Sequence, residues 1–400
     1  MKTPLAALLA SIALMTTLTY AREFVLTDTS GVHAENWAIT NTDLGIPSKT
    51  PFSVKKKTLH GGRQEGVDIV ELDNGVMTLT VIPTRGMNIY KVTRGDIVLG
   101  WNSPVKEIVN PAYMELQSRA GLGWLDGFNE FLVRCGVEWA GHPGMDDGKL
   151  LSLHGRVGNI PASKVVVSID DQPPYRIRIR GEIVEQTFKF ADYDLWTELS
   201  TEPGTSSFRV SDTLTNRSDY EREYQIIYHG NFGPPLLEQG SKFVAPVKKV
   251  TPFDDYAAKD IANWTAYRAP TKNFGEHVFE VELFTRHDGT TTAMLKNSNG
   301  DKGVRIDYDA IALPYLSLWK NTDTLKEGYA TGLEPGTGFP NPRNVERAHG
   351  RVPKISPGAS QNFRLTYSVL FDKSGVEAAA RDIANIQGSE KTAVNAEPEK

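Results

Sequence analysis

Apolar and polar residues alternate with a period of two along most of the chain. Val67-Asp68-Ile69-Val70-Glu71-Leu72 and Met77-Thr78-Leu79-Thr80-Val81-Ile82 flank Asp73-Asn74-Gly75, and turn formers between two such runs predict a β-hairpin. Further strands are expected at Lys164 to Ile169, Tyr175 to Val184, Phe208 to Leu214, Val278 to Phe284, Gly303 to Tyr308 and Phe363 to Phe371. Arg176-Ile177-Arg178-Ile179-Arg180 alternates strictly, as an antiparallel strand with one wet face does. The 35 glycines and 23 prolines punctuate these runs more densely than a helical bundle tolerates. One short helix is expected over Ser374 to Ile386, where Ser374 and Glu377 fit a capping box, and a weaker one over Asn110 to Arg119. Strands do not alternate with helices, which argues against a doubly wound sheet or a β/α barrel. The fold class that follows is all-β, a single large antiparallel sandwich with few short helices.

The ends of the chain read differently. Met1-Lys2, an apolar stretch from Leu5 to Leu18, and Thr19-Tyr20-Ala21 have the layout of a secretory signal peptide cleaved after Ala21. The competing reading, a membrane anchor, needs a run of about 20 apolar residues. Expected organisation is therefore a signal peptide at 1–21, one β-sandwich domain at 22–386, and a polar, disordered tail at 387–400. The mature protein is expected to be soluble, periplasmic or secreted, and its sequons at Asn216 and Asn263 are expected to be idle in a bacterial setting.

Composition removes several functions. Lys and Arg number 44 against 49 Asp and Glu, with no block of five or six like charges, so nucleic-acid binding by a basic stripe is excluded. Cys135 is the only cysteine, which leaves no internal disulfide and no Cys-type zinc site. Its setting, Val133-Arg134-Cys135-Gly136-Val137, is that of a strand core residue. No nucleophile elbow, P-loop or dinucleotide fingerprint occurs, so no nucleotide cofactor is indicated.

Candidate chemistry rests on a few residues. His33, His60, His277, His287 and His349 sit in polar, turn-like contexts and are expected at the surface. His154 and His229 each end an apolar run and precede a glycine, a placement that suits a cleft lip, because glycine lets a ligand approach the backbone. Glu334 lies between an apolar run and Pro335-Gly336; at a strand's end it is either partly desolvated, and so a usable base, or an ordinary surface carboxylate. His142, Asp146, Asp147 and His154 are close enough in sequence to offer a rival reading as metal ligands, although no His-x-His or His-Glu-x-x-His spacing fixes two of them on one element.

Six short motifs, in order, resemble the galactose mutarotase (aldose 1-epimerase) superfamily, and within it a bacterial aldose 1-epimerase-like branch of undefined substrate. They are Ile82-Pro83-Thr84-Arg85-Gly86-Met87, the loop from Gly136 to Asp147, Leu153-His154-Gly155-Arg156 through Ala162, Tyr228-His229-Gly230-Asn231-Phe232-Gly233 through Leu237, Trp319-Lys320, and Gly332-Leu333-Glu334-Pro335. The resemblance implies a β-supersandwich that binds a sugar or oligosaccharide on its concave face and needs neither cofactor nor metal. It further implies Glu334 as general base, His229 as general acid and His154 as a substrate-binding residue, acting across the ring to open it. Arg156, Asn231, Trp319 and Lys320 are positions the branch shares and are expected to contact hydroxyls, with core packing the alternative for Trp319. Arg85 is either a further contact or structural. The sequence departs from the branch at Phe128 to Gly136 and at Gly336-Thr337, both expected near the cleft, so the substrate is expected to differ. Elimination or isomerisation of a modified sugar, or non-catalytic carbohydrate binding, are the alternatives.

Overall fold

The computed structural model describes residues 21–399. The expected signal peptide, apart from Ala21, lies outside them. Two large sheets account for most of the rest. Ten strands form one, running from Lys242–Val244 through Ser360–Leu370 and Ser207–Asn216 to Ala21–Asp28 and Val32–His33. Thirteen form the other, which carries the site. At its centre, Tyr315–Asn321, Ala330–Gly336, Gln225–Phe232 and Leu132–Val137 are neighbours in that order, and every pairing among them is antiparallel.

The expected strands form with shifts of up to three residues at their ends. Val67–Asp73 pairs with Thr78–Ile82, Val70 opposite Val81, about a turn in which Gly75 has φ 88°. In Ile177–Gln186 buried and less buried residues alternate without a break, while the outward Arg178 reaches Asp170 at 2.6 Å. Period two places half of each strand in the space between the sheets. There Phe131 from the site sheet meets Tyr367 from the other at 5.4 Å between ring centroids, and Phe208 stacks on Tyr367 at 5.1 Å.

Polar groups also cross this core. Arg134 is fully buried and bonds Asp212 of the opposite sheet, which also accepts from the Tyr228 hydroxyl at 2.7 Å. Arg134 and Tyr228 thus tie Leu132–Val137 and Gln225–Phe232 to the second sheet from below, while Val133, Cys135, Ile227 and His229 face outward. Cys135 is buried in the small apolar cluster on that outer face.

Three expectations need correction. The C-terminal helix spans Lys373–Gln387, but its cap is Asp372, whose carboxylate accepts from Gly375 N at 2.7 Å, so Ser374 is not the cap. Asn110 to Arg119 is not a helix: it holds one 3₁₀ turn at Pro111–Tyr113, and Arg119 and Ala120 then take left-handed backbone angles. The stretch after Gln387 is not loose. Ala393–Val394 adds a parallel strand beside Val247–Pro252, Thr392 Oγ1 donates to Val247 O at 2.8 Å, and Arg351 pairs with Glu399 at 2.8 Å. Polar composition hid these bonds because they use backbone groups and charges rather than apolar burial.

Candidate active site

On the outer face of the thirteen-stranded sheet, register brings the candidate residues into one row. Gly230 lies opposite Leu333 and Asn231 opposite Gly332, which sets His229 beside Glu334. Ser317 is opposite Glu334 and Trp319 opposite Gly332. His229 Nε2 stands 3.2 Å from Glu334 Oε1, with both side chains almost fully buried. The contact is close but not aligned as a hydrogen bond: Glu334 Oε1 and His229 Nδ1 have no hydrogen-bond partner among the described residues.

Glu334 is in the middle of its strand, not at the end, and the Gly-Leu-Glu sequence shows why it fits. Residues 332 and 334 share a face, and a Cβ on residue 332 would lie 2.2 Å from Glu334 Oε1. The glycine makes room for the carboxylate. His154 arrives from a loop with left-handed φ of 58°, held by its N–H on Gly141 O at 2.8 Å and its carbonyl on Gly136 N at 3.0 Å. A Cβ on Gly155 would sit 2.2 Å from Trp139 O. The glycine after this histidine therefore admits neighbouring backbone, not a ligand as expected. Gly230 does the same against Leu333 O.

A cavity of about 150 Å³ opens above these groups. His154, His229 and Glu334 form its floor, and Trp124, Phe128 and Trp319 its aromatic wall. Trp124 lies 4.7 Å from the His154 ring and Phe128 5.3 Å from the His229 ring; the two histidine rings are 5.3 Å apart. Leu122, Leu125, Leu153, Val278 and Pro340 supply aliphatic surface, with His142 and Glu276 at the sides. Glu276 accepts from Trp319 Nε1 at 2.8 Å and so fixes the indole.

Burial sets the protonation. It holds Glu334 well above the usual carboxylate range, helped by the Glu276 carboxylate. It pulls His229 from 6.5 down to about 3, and His154 well below its ordinary value, with His229 and His142 adding to the latter. Burial thus favours the uncharged form of each, carboxylic acid and neutral imidazole.

The structure brings His154, His229, Glu334 and Trp319 together and places the other predicted contacts elsewhere. Asn231 lies under His229, donating to the His229 and Glu130 carbonyls. Arg156 is outside the cavity, bonded to Glu185 at 3.2 Å and Thr187 at 3.1 Å. Lys320 follows Trp319 on a strand and so faces the core, where it donates to Ala266 O and burial lowers it to about 7. Arg85 is structural: wholly buried, it pairs with Glu130 at 2.9 Å and donates to Gly127 O at 2.6 Å, bracing the turn that carries Phe128. Glu334 is no surface carboxylate, and His277 is buried near Asp260 rather than exposed.

The metal reading fails on geometry. A bidentate Arg347 occupies Asp146 at 2.7 and 2.9 Å, and His142 Nδ1 is engaged by Pro340 O. Among the described residues no three His, Cys, Asp or Glu side chains are arranged to hold a metal ion. Trp124, Phe128, Glu276 and His142 are site residues that the motifs did not single out as contacts. The glycines around Trp124, at 121, 123 and 127, were the available signal of a close-packed turn.

The fold is that of the galactose mutarotase-like proteins. A galactose mutarotase-like protein from Clostridium acetobutylicum superposes with a TM-score of 0.53 at 14% identity, over 79% of this chain and 98% of that one. The protein Slr1438 from Synechocystis gives 0.52 at 14% identity, over 76% and 96%. A crystal structure of a candidate aldose 1-epimerase from Klebsiella pneumoniae subsp. pneumoniae gives a TM-score of 0.93 at 48% identity, covering 95% of this chain and all of that one. Residues 64–369 match the family described as Domain of unknown function (DUF4432). The chain belongs to that family, within the galactose mutarotase (aldose 1-epimerase) superfamily. No curated protein matches it in sequence.

Proposed function

We propose that the protein is an exported aldose 1-epimerase-like isomerase that interconverts the anomers of a sugar, with Glu334 and His229 as its acid–base pair. The observation that carries this reading is the 3.2 Å approach of His229 Nε2 to Glu334 Oε1 on the floor of an aromatic-walled cavity. Opening a cyclic hemiacetal moves two protons at one carbon: the C1 hydroxyl loses one, and the ring oxygen gains one as its bond to C1 breaks. Those two oxygens are a single bond angle apart. An acid and a base side by side on adjacent strands suit them better than a pair facing each other across the ring.

With a sugar bound, the Glu334 proton first passes to His229 across their 3.2 Å contact; ionised Glu334 then takes the hydroxyl proton while protonated His229 gives one to the ring oxygen, leaving an aldehyde, a carboxylic acid and a neutral imidazole. Rotation about C1–C2 and reversal of both transfers closes the other anomer. The pair carries one proton throughout, on His229 before opening and on Glu334 after. Burial favours the uncharged form, which lies on the ring-opened side. Each partner contributes roughly 10²–10⁴ in rate. His154 holds a hydroxyl, and the Trp319 and Trp124 faces receive the C–H face of the ring. Export rests on the Met1 to Ala21 pattern; mass spectrometry of exported protein that retained this segment would overturn it.

The test is anomer exchange by polarimetry or NMR over hexoses, pentoses and uronic acids. Glu334→Gln keeps shape but accepts no proton, so kcat is expected to fall by at least about 10² with sugar binding retained. His229→Asn is expected to match it, with no further loss in the double variant. Wild-type rates in Glu334→Gln would sink the mechanism. Binding without exchange in the wild type would transfer the site to elimination on a modified sugar or to a binding role.

A further inference from the structure

Among the described residues, no Arg or Lys lines the cavity, and this bears on what enters it. The cations that a sugar acid would need, Arg156 and Lys320, are committed to Glu185 and to backbone carbonyls outside it. The charge that the cavity does present is acidic. Glu276 stands at its side, exposed, and acts on Glu334 strongly enough to raise it further. A carboxylate or phosphate on the sugar would be desolvated with no cation to pair it and with the Glu276 carboxylate at its side, an arrangement that disfavours binding.

Hydroxyls are limited too. A hexopyranose brings four hydroxyls besides the C1 hydroxyl and ring oxygen that Glu334 and His229 engage. The remaining polar side-chain groups are His154 and Trp124, whose Nδ1 and Nε1 have no partner among the described residues, His142, whose Nδ1 is engaged by Pro340 O, and Glu276, which already accepts from Trp319. The rest of the surface is apolar on more than one side. Leu122 and Leu125 form an exposed lip, 36% and 41% accessible, opposite the aliphatic Val278 of the sheet, with Leu153 between lip and floor. A hydroxyl buried against such surface without a partner costs about 1–3 kcal/mol, whereas a methyl group there gains by burial.

We infer that the site selects a neutral deoxy sugar, one that presents a methyl or methylene where common hexoses carry a hydroxyl, and that Leu122, Leu125 and Glu276 enforce the choice. The inference rests on the acid–base reading for the orientation of the ring, but recognition can be measured without turnover.

The experiment uses matched sugars differing only at C6: D-fucose, D-galactose and D-galacturonate, then 6-deoxyglucose, glucose and glucuronate, then L-rhamnose and L-mannose. Binding is followed by calorimetry or saturation-transfer NMR on the wild type and on Glu334→Gln, and anomer exchange is followed separately. In at least one series the deoxy sugar is expected to bind tenfold or more tighter than its hydroxylated parent, with no binding of the acid. Leu125→Asn is expected to narrow that ratio to within about threefold, and Glu276→Lys to admit the uronate. Parent sugars that bind as well as their deoxy forms in every series, a uronate that binds the wild type, ratios that neither variant moves, or no binding anywhere would each overturn the inference. Deoxy-sugar binding without anomer exchange would support it while sinking the epimerase mechanism.

Discussion

Glu334 and His229 illustrate how one burial produces two opposite titrations. Burial keeps a proton on Glu334 above the pH at which a free glutamate loses it, and keeps His229 neutral down to about 3. The consequences for stability have opposite signs. Between 4.5 and the raised value, the unfolded chain releases the glutamate proton and the folded one does not, so stability falls as pH rises. Between about 3 and 6.5 the unfolded histidine binds a proton and the folded one does not, so stability rises with pH. From pH 4.5 to 6.5 the two oppose each other. Glu334→Gln removes only the first, and so is expected to gain stability over the wild type as pH climbs through that window, by up to about 1.4 kcal/mol per unit. Urea unfolding at pH 4.5, 5.5 and 6.5 measures this, and parallel wild-type and variant curves would rule it out.

At the scale of the element, the central strands of the site sheet owe their shape to residues chosen for space. Gly332 is the clearest, since the Glu334 carboxylate lies where its Cβ would be. The obstructing atom is the end of a flexible side chain, so Gly332→Ala is expected to fold with a loss of roughly 1 kcal/mol or less while displacing the carboxylate. kcat is expected to drop about 10²-fold, as 1 Å misplacements do. Full activity with a wild-type melting curve would show that the carboxylate position is not critical. Alternation made strands such as Ile177–Gln186 readable from sequence, because each has one face in the core and one wet. The site strands were harder. Gln225–Phe232 and Ala330–Gly336 are buried on both faces, so neither shows period two, and Glu334 looked like a strand-end residue beside Pro335. Period two did carry one lesson that motif matching missed. Adjacent strand residues face opposite ways, so Trp319 in the cavity requires Lys320 in the core, and both could not touch one sugar. Trp124 was missed, and Phe128 was placed only near the cleft, for a different reason: they reach the site on a turn whose course is set by the buried Arg85–Glu130 pair, contacts 45 residues apart in sequence.

Across the whole molecule, the last residues close an open edge. Val247–Pro252 would be the outer strand of the thirteen-stranded sheet without Ala393–Val394 beside it, and an outer strand offers unpaired backbone groups to other chains. Asn395 adds an N–H bond to Val250 O and a side-chain bond to Thr251 Oγ1, both 2.9 Å, and Glu399 reaches Arg351. Arg351 keeps its bonds to Glu346 when Glu399 is gone, so no buried charge is orphaned by losing the tail. Removing residues 388–400 is therefore expected to cost about 1–3 kcal/mol, a few hydrogen bonds at roughly 1 kcal/mol each, and to promote association through the bared edge. Catalysis should be untouched, because the strand of Glu334 is four positions inward from the tail in the sheet order. Chemical unfolding, light scattering against concentration and kcat on the best sugar decide the matter together. Unchanged stability and a monodisperse solution would restore the loose tail that the composition suggested. A fall in kcat without a fall in stability would mean that the edge strand communicates with Val278 and the cavity wall through His277–Leu283, its neighbour in the sheet.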